Sequence, residues 1–212
     1  MNRGNSLFHV DSSFNPRRAG YSLLRAHQLP PKGTGGSTEF ADTRTAYEEL
    51  PEDLKRELIE NDYVACHSLY HSRKTASPGS LPGLNPEDYF MSRHKLIQRH
   101  EPSGRMNLYI ASHVHHIEGV SPEKSKALID TLYAHACNPK YVQAIEVRLA
   151  LSHGKMRLVV VLKTCSGPTT PTSFFGTTPR SCTAPQVARL KGNTCAICGA
   201  PPCMMGVFTL GG

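Results

Sequence analysis

The sequence predicts a mainly β chain with helices flanking its sheets, an α+β arrangement. Three observations carry this. Residues 4–14, 21–29, 38–41, 105–119 and 141–146 have the alternating or β-rich character of strands. Helical start signals occur at only a few places, beginning at Thr43, Pro51 and Pro122. Stretches punctuated by Pro and Gly separate these segments, as at residues 15–20, 30–36 and 77–86.

With 212 residues the chain can bury one ordinary core. No apolar run reaches the length of a membrane span. The N-terminus lacks a charged-then-apolar leader pattern. A cytoplasmic protein without a membrane partner is therefore expected. The net charge of +7 suits nucleic acid at first sight, but its placement argues otherwise. All of the excess lies in residues 147–212, which hold seven Lys or Arg and no Asp or Glu, so residues 1–146 are balanced. Cysteine is skewed likewise, with Cys66 and Cys137 before that point and the other five after it. The composition break places a domain boundary just after Glu146. No nucleic-acid partner is expected.

The first strand, residues 4–14, carries His9 and Asp11. Residues i and i+2 of an extended strand share a face. An imidazole and a carboxylate side by side form two of the three ligands of a 2-His-1-carboxylate site for non-haem Fe(II). The tripeptide alone reads more readily as a surface strand bearing two polar residues. Residues 21–29 read as the next strand and residues 30–36 as a loop that Gly33, Gly35 and Gly36 keep flexible. Thr38 opens a short strand over residues 38–41. Asp42 caps a helix from Thr43 through Tyr47 and Leu50, and Pro51 restarts it with acidic residues in its first turn. Leu54, Leu58 and Ile59 form its apolar stripe. Residues 66–101 are mixed, with scattered histidines that read as well as surface-loop residues. Residues 105–119 return to a β pattern, in which alternation puts His113 and His115 on one face and His116 on the other. Ser121 caps a helix with Pro122 at its first position and Ala127, Leu128, Leu132 and Ala136 on its apolar face. Asn138 and Pro139 end it, and a strand starts at Tyr141.

Four blocks in this order carry a resemblance. They are His9-Val10-Asp11-Ser12-Ser13-Phe14, Tyr21-Ser22-Leu23-Leu24, Gly35-Gly36-Ser37-Thr38-Glu39-Phe40-Ala41-Asp42 running into Arg44-Thr45-Ala46-Tyr47, and Tyr109-Ile110-Ala111-Ser112-His113-Val114-His115-His116-Ile117-Glu118-Gly119. Over residues 4–146 the chain resembles the TauD/TfdA family of Fe(II)- and 2-oxoglutarate-dependent dioxygenases, in particular its 2,4-dichlorophenoxyacetate dioxygenase branch. The resemblance implies a double-stranded β-helix, the jelly-roll barrel, with helices outside it and incomplete at both ends. It implies Fe(II) held by His9 and Asp11, and 2-oxoglutarate and O2 as co-substrates. It places the Thr38 hydroxyl on the co-substrate carboxylate and His113 and His116 in the substrate pocket. The implied reaction oxidises a small organic molecule while 2-oxoglutarate becomes succinate and CO2.

The resemblance stops where the composition changes. The family's second histidine ligand and its distal arginine have no counterpart in frame, and His153 is the only histidine after Glu146. Reading across codon junctions in the tail accounts for this. The Phe175/Gly176 junction permits a tryptophan, the next two an aspartate and an asparagine, and Cys182/Thr183 permits only histidine or tyrosine. About twenty consecutive junctions permit the family's C-terminal pattern. Residues 147–212 are thus expected to be an aberrant, disordered tail, translated out of frame from about residue 160 and preceded by read-through sequence from Val147 to about Val160. Cys195, Cys198 and Cys203 make half of a zinc site with no second half, and an accidental motif is expected there. Two other readings remain: a non-catalytic remnant of such an enzyme, and a basic zinc-bearing nucleic-acid binder.

Overall fold

The structure is a computed structural model and describes residues 7–26, 37–101, 103–145, 158–163, 186–191 and 205–211. In chain order the first half contains strands β1 (Ala19–Ala26) and β2 (Ser37–Asp42), helices α1 (Thr43–Glu48) and α2 (Glu52–Asn61), strand β3 (Val64–His67) and helix α3 (Leu69–Ala76). Strands β4 (Ser92–Lys95), β5 (Ile97–Arg99), β6 (Met106–Leu108) and β7 (Val114–Ile117) follow, then helix α4 (Pro122–Ala136) and strand β8 (Val142–Ile145). Strands β9 (Leu158–Lys163), β10 (Gln186–Lys191) and β11 (Met205–Gly211) lie in the basic tail. Strands with flanking helices are what the sequence predicts.

Pairing is antiparallel throughout the described residues. β1 lies between β11 and β9, β2 between β10 and β8, and β3 between β4 and β7, while β5 pairs with β6. The tail was expected to be disordered. Three stretches of it pair with β1 and β2, and its remaining residues lie outside the described ones.

The helices start where local chemistry dictates. Asp42 Oδ1 accepts the main-chain N–H groups of Arg44 and Thr45, and its Oδ2 accepts the Thr45 hydroxyl at 3.0 Å. These bonds satisfy first-turn donors that a helix cannot pair internally. Ser121 does the same for Lys124 at the start of α4. α4 buries Ser125, Leu128, Leu132 and Ala136, one stripe at helical spacing. Ala127 is exposed, one position off that stripe. In α2 only Leu58 is buried, and Ile59 is 56% exposed, because the buried face is narrower than the expected stripe. The main core joins α1, α4, β3, β6 and β7 through Ala46, Tyr47, Ala65, Leu108, Ile117 and Leu132. A second cluster of Phe8, Val10, Ala41, Tyr109 and Ala111 sits under the N-terminal segment.

Three expected elements differ. The described part of the strand expected over residues 4–14 is an isolated bridge at His9 followed by a turn over residues 11–14. Ser12 has a φ of 56° there, a left-handed conformation no strand continues through. The run 105–119 is split into β6 and β7 by a turn at Ser112 and His113, closed by the Val114 N–H on the Ala111 carbonyl at 3.0 Å. Unbroken alternation therefore does not govern its histidines. The mixed region contains β3, α3, β4 and β5. No helix among the described residues is long and apolar enough to cross a membrane.

Candidate metal centre

His9 and Asp11 come together despite the lost strand. Val10 between them is buried in the second core cluster, so its neighbours are turned outward. The His9 Nε2 lies 3.6 Å from Asp11 Oδ1, with the two side chains 20% and 33% exposed. His9 Nδ1 is 2.8 Å from the Leu7 carbonyl oxygen. Only a protonated Nδ1 can make that bond, and in the neutral ring this leaves the lone pair on Nε2, the atom facing Asp11. A main-chain carbonyl on the far nitrogen is the usual way a ligating histidine is oriented.

The segment is gripped from several sides. The Phe8 carbonyl accepts the Ser112 N–H at 3.0 Å and the Tyr133 hydroxyl at 3.3 Å. Ser12 Oγ accepts the Ala19 N–H at 3.1 Å. Ser13 is wholly buried, and its Oγ lies 3.0 Å from His113 Nδ1. Its carbonyl accepts the Ser92 hydroxyl at 2.9 Å and the His94 Nε2–H at 2.8 Å.

His113 stands edge-on to His9, ring centroids 6.1 Å apart, and also contacts Phe14. Burial, with His9 and His71 nearby, lowers its pKa to about 3, so it is a neutral ring at neutral pH. His116 sits in β7, opposite Cys66 in register, with its Nδ1 2.8 Å from that of His115. No described contact joins it to His9. Thr38 lies in β2, 5% exposed, and its Oγ1 has no hydrogen-bond partner among the described residues. A buried hydroxyl without a partner is costly, and an incoming acceptor would complete it.

The donor set fits one cation in part. With metal–ligand bonds of ~2.0–2.2 Å, two ligand atoms stand ~3 Å apart at a right angle and ~3.5 Å apart at a tetrahedral one. A separation of 3.6 Å therefore accommodates a metal after a small rotamer adjustment. Among the described residues no group of three or more His, Cys, Asp or Glu is placed to hold a metal, so a third protein ligand is not among them. His153, Cys195, Cys198, Cys203 and the glycine loop at 30–36 lie outside the described residues. A groove of about 780 Å³ lined by Arg18, Tyr47, His94, Ile97, Arg99 and Met106 does not include His9 or Asp11.

A profile of the family described as taurine catabolism dioxygenase TauD, TfdA matches residues 1–149. The chain belongs to the TauD/TfdA family. An alpha-ketoglutarate-dependent 2,4-dichlorophenoxyacetate dioxygenase of Burkholderia sp. (strain RASC) is 41% identical over 143 residues, 66% of this chain and 46% of that protein. A pentalenolactone F synthase of Streptomyces avermitilis is 34% identical over 152 residues, 66% of this chain and 49% of that protein. The chain spans about half the length of the curated relatives it matches. A crystal structure of AAD-2 in complex with Mn(II) and N-oxalylglycine superposes with a TM-score of 0.74 at 28% identity, covering 100% of this chain and 70% of that one. Membership agrees with the resemblance read from the four sequence blocks.

Sequence reasoning missed Ser13, Ser92 and His94 as parts of this centre. The signal in β4 is a period-2 pattern, Ser92 and His94 buried and Arg93 and Lys95 exposed. It is invisible to a hydrophobicity count because the inward side chains are polar.

Proposed function

We propose that the chain is the iron-binding part of an Fe(II)- and 2-oxoglutarate-dependent dioxygenase acting on a small organic substrate, its sheets belonging to a double-stranded β-helix. The observation that carries this is His9 Nε2 facing Asp11 Oδ1 at 3.6 Å while His9 Nδ1 is committed to the Leu7 carbonyl. These two residues would hold the metal. When bound, iron supplies O2 activation coupled to decarboxylation of 2-oxoglutarate. Thr38 would donate its unpartnered hydroxyl to a carboxylate of that co-substrate. His113, neutral and beside His9, would border the substrate pocket; the same role for His116 rests on the family resemblance. The substrate class is a small organic acid, since relatives bear names of activities on 2,4-dichlorophenoxyacetate and (S)-phenoxypropionate. A soluble, cytoplasmic location accords with such chemistry.

A second reading, a non-catalytic remnant, is favoured by the lack of a third ligand among the described residues. Residues 1–146 are then a partial dioxygenase domain and 147–212 an aberrant tail, out of frame from about residue 160, which sequencing the coding DNA and transcript across codons 140–185 would test. Anaerobic Fe(II) titration, followed by a separate aerobic assay of succinate release, separates the two readings. A dioxygenase binds Fe(II) and forms succinate with a panel of small acids; a remnant does neither well. His9→Ala and Asp11→Ala should each abolish Fe(II) binding, and unchanged affinity in both variants would sink the assignment.

A further inference from the structure

We infer that Ser92 and His94 on β4 are positioning residues for the metal-binding turn, acting through the main chain of Ser13. The inference rests on the reading of His9 and Asp11 as iron ligands. Ser13 follows Asp11 by two residues and is 0% exposed. Its carbonyl receives two donors, the Ser92 hydroxyl at 2.9 Å and the His94 Nε2–H at 2.8 Å, which occupy both lone pairs. Both donors come from one strand about eighty residues away in sequence.

The turn needs an external hold. Ser12 has a φ of 56°, a conformation that costs a non-glycine residue energy and persists only where the surroundings over-determine it. Within the turn, Ser13 N–H reaches the Val10 carbonyl at 3.3 Å and Asn15 N–H the Ser12 carbonyl at 2.9 Å. Those bonds set the turn's shape but not its place in the molecule. β4 sets the place. β4 is itself held by its antiparallel ladder to β3, and its outward side chains make exposed ion pairs, Arg93 with Glu118 and Lys95 with Asp62. The His94 ring packs against His67 at 5.2 Å and Tyr109 at 5.6 Å, which fixes the direction of its Nε2–H. A carboxylate two residues upstream of so anchored a carbonyl has little freedom. Metal ligands need placement within ~0.5 Å, and that is what a clasp on Ser13 delivers.

The test uses the full chain and two readouts. The variants are the double substitution Ser92→Ala/His94→Phe, in which Phe keeps the ring contacts but has no donor, and Ser92→Ala/His94→Gln, whose amide restores a donor near the Nε2 position. The first readout is amide hydrogen exchange of the metal-free chain. Exchange at Ser13 and Asn15 should rise ~10-fold or more in the Phe variant and return towards wild type in the Gln variant, while β3 and α4 keep their protection. The second is Co(II) binding followed by its d–d absorption, where the Phe variant should lose ~10–100-fold in affinity and the Gln variant recover most of it. Unchanged exchange at Ser13 and Asn15 overturns the clasp whatever the metal does. Protection lost evenly over β3 and β7 also overturns it, since that marks general packing. A wild-type chain that binds no Co(II) overturns the iron-ligand reading, and the exchange data alone then decide whether β4 holds the turn.

Discussion

At the scale of single residues, buried polar atoms without partners identify where the chain is unfinished. Thr38 Oγ1 is one. Thr38→Val removes it, so the unliganded chain should be as stable as wild type or slightly more so. Affinity of the Mn(II)-loaded protein for 2-oxoglutarate should fall ~10-fold or more, as expected for losing a hydrogen bond to a charged group. Calorimetric titration measures it, and undiminished affinity would remove Thr38 from the co-substrate site. His67 is another: wholly buried between His94 and Tyr109, with neither ring nitrogen hydrogen-bonded among the described residues. Burial first, then the neighbouring His94, His113 and Arg18, hold its pKa well below 6.5. His71 and His94 are lowered to about 4, mainly by burial. These rings stay neutral when folded but take a proton near pH 6.5 when unfolded, so the unfolded state binds more protons. Stability is therefore full above pH 6.5 and falls as pH drops towards 4. His67 contributes up to ~1.4 kcal/mol per pH unit and the partly exposed pair less. His67→Leu should raise the denaturant midpoint at pH 7.5 and flatten its decline between pH 6.5 and 4. A variant less stable at both pH values would mean that the imidazole has a partner. None of this was legible in the sequence, where His67, His71 and His94 look like surface-loop histidines, because burial is a property of the packed chain.

At the scale of elements, local chemistry set the helices and long-range pairing set the strands. Asp42 ends β2 and caps α1. Burial pushes its carboxyl up, but hydrogen bonds from Thr45 and Arg44 outweigh that and hold it below its ordinary value of 3.8. Its contribution is therefore present above pH 3.8 and is lost as pH falls below it. Asp42→Ala should cost ~1–2 kcal/mol in thermal denaturation at pH 7, with Asp42→Asn recovering most of it. An equal loss in both would assign the effect to charge and not to capping. The caps at Asp42 and Ser121 could be read from sequence because a cap and its helix are neighbours in the chain. β3 and β4 could not, because His67, Ser92 and His94 share the inward face and no hydrophobic alternation announces them.

At the scale of the whole molecule, both described partners of β1 come from beyond residue 146, whereas β2 keeps β8 within it. Ending the chain after Glu146 should leave residues 19–26 with two open edges. Their amides should then exchange at unstructured rates, those of 38–41 should stay partly protected, and the shortened chain should aggregate more readily. Unaltered protection of residues 19–26 would mean that the tail is an appendage the sheet does not use. The sequence by itself determined the family, the His9–Asp11 pair, the α4 helix and the break in composition after Glu146, since each is written in residue type and short spacing. Only the tertiary structure decided that the pair sits at a turn instead of a strand, that His113 packs against His9, and that β4 reaches across to Ser13. These contacts join residues about eighty to a hundred positions apart. Their polar inward side chains are made tolerable only by one another, so no stretch of sequence taken alone reveals them.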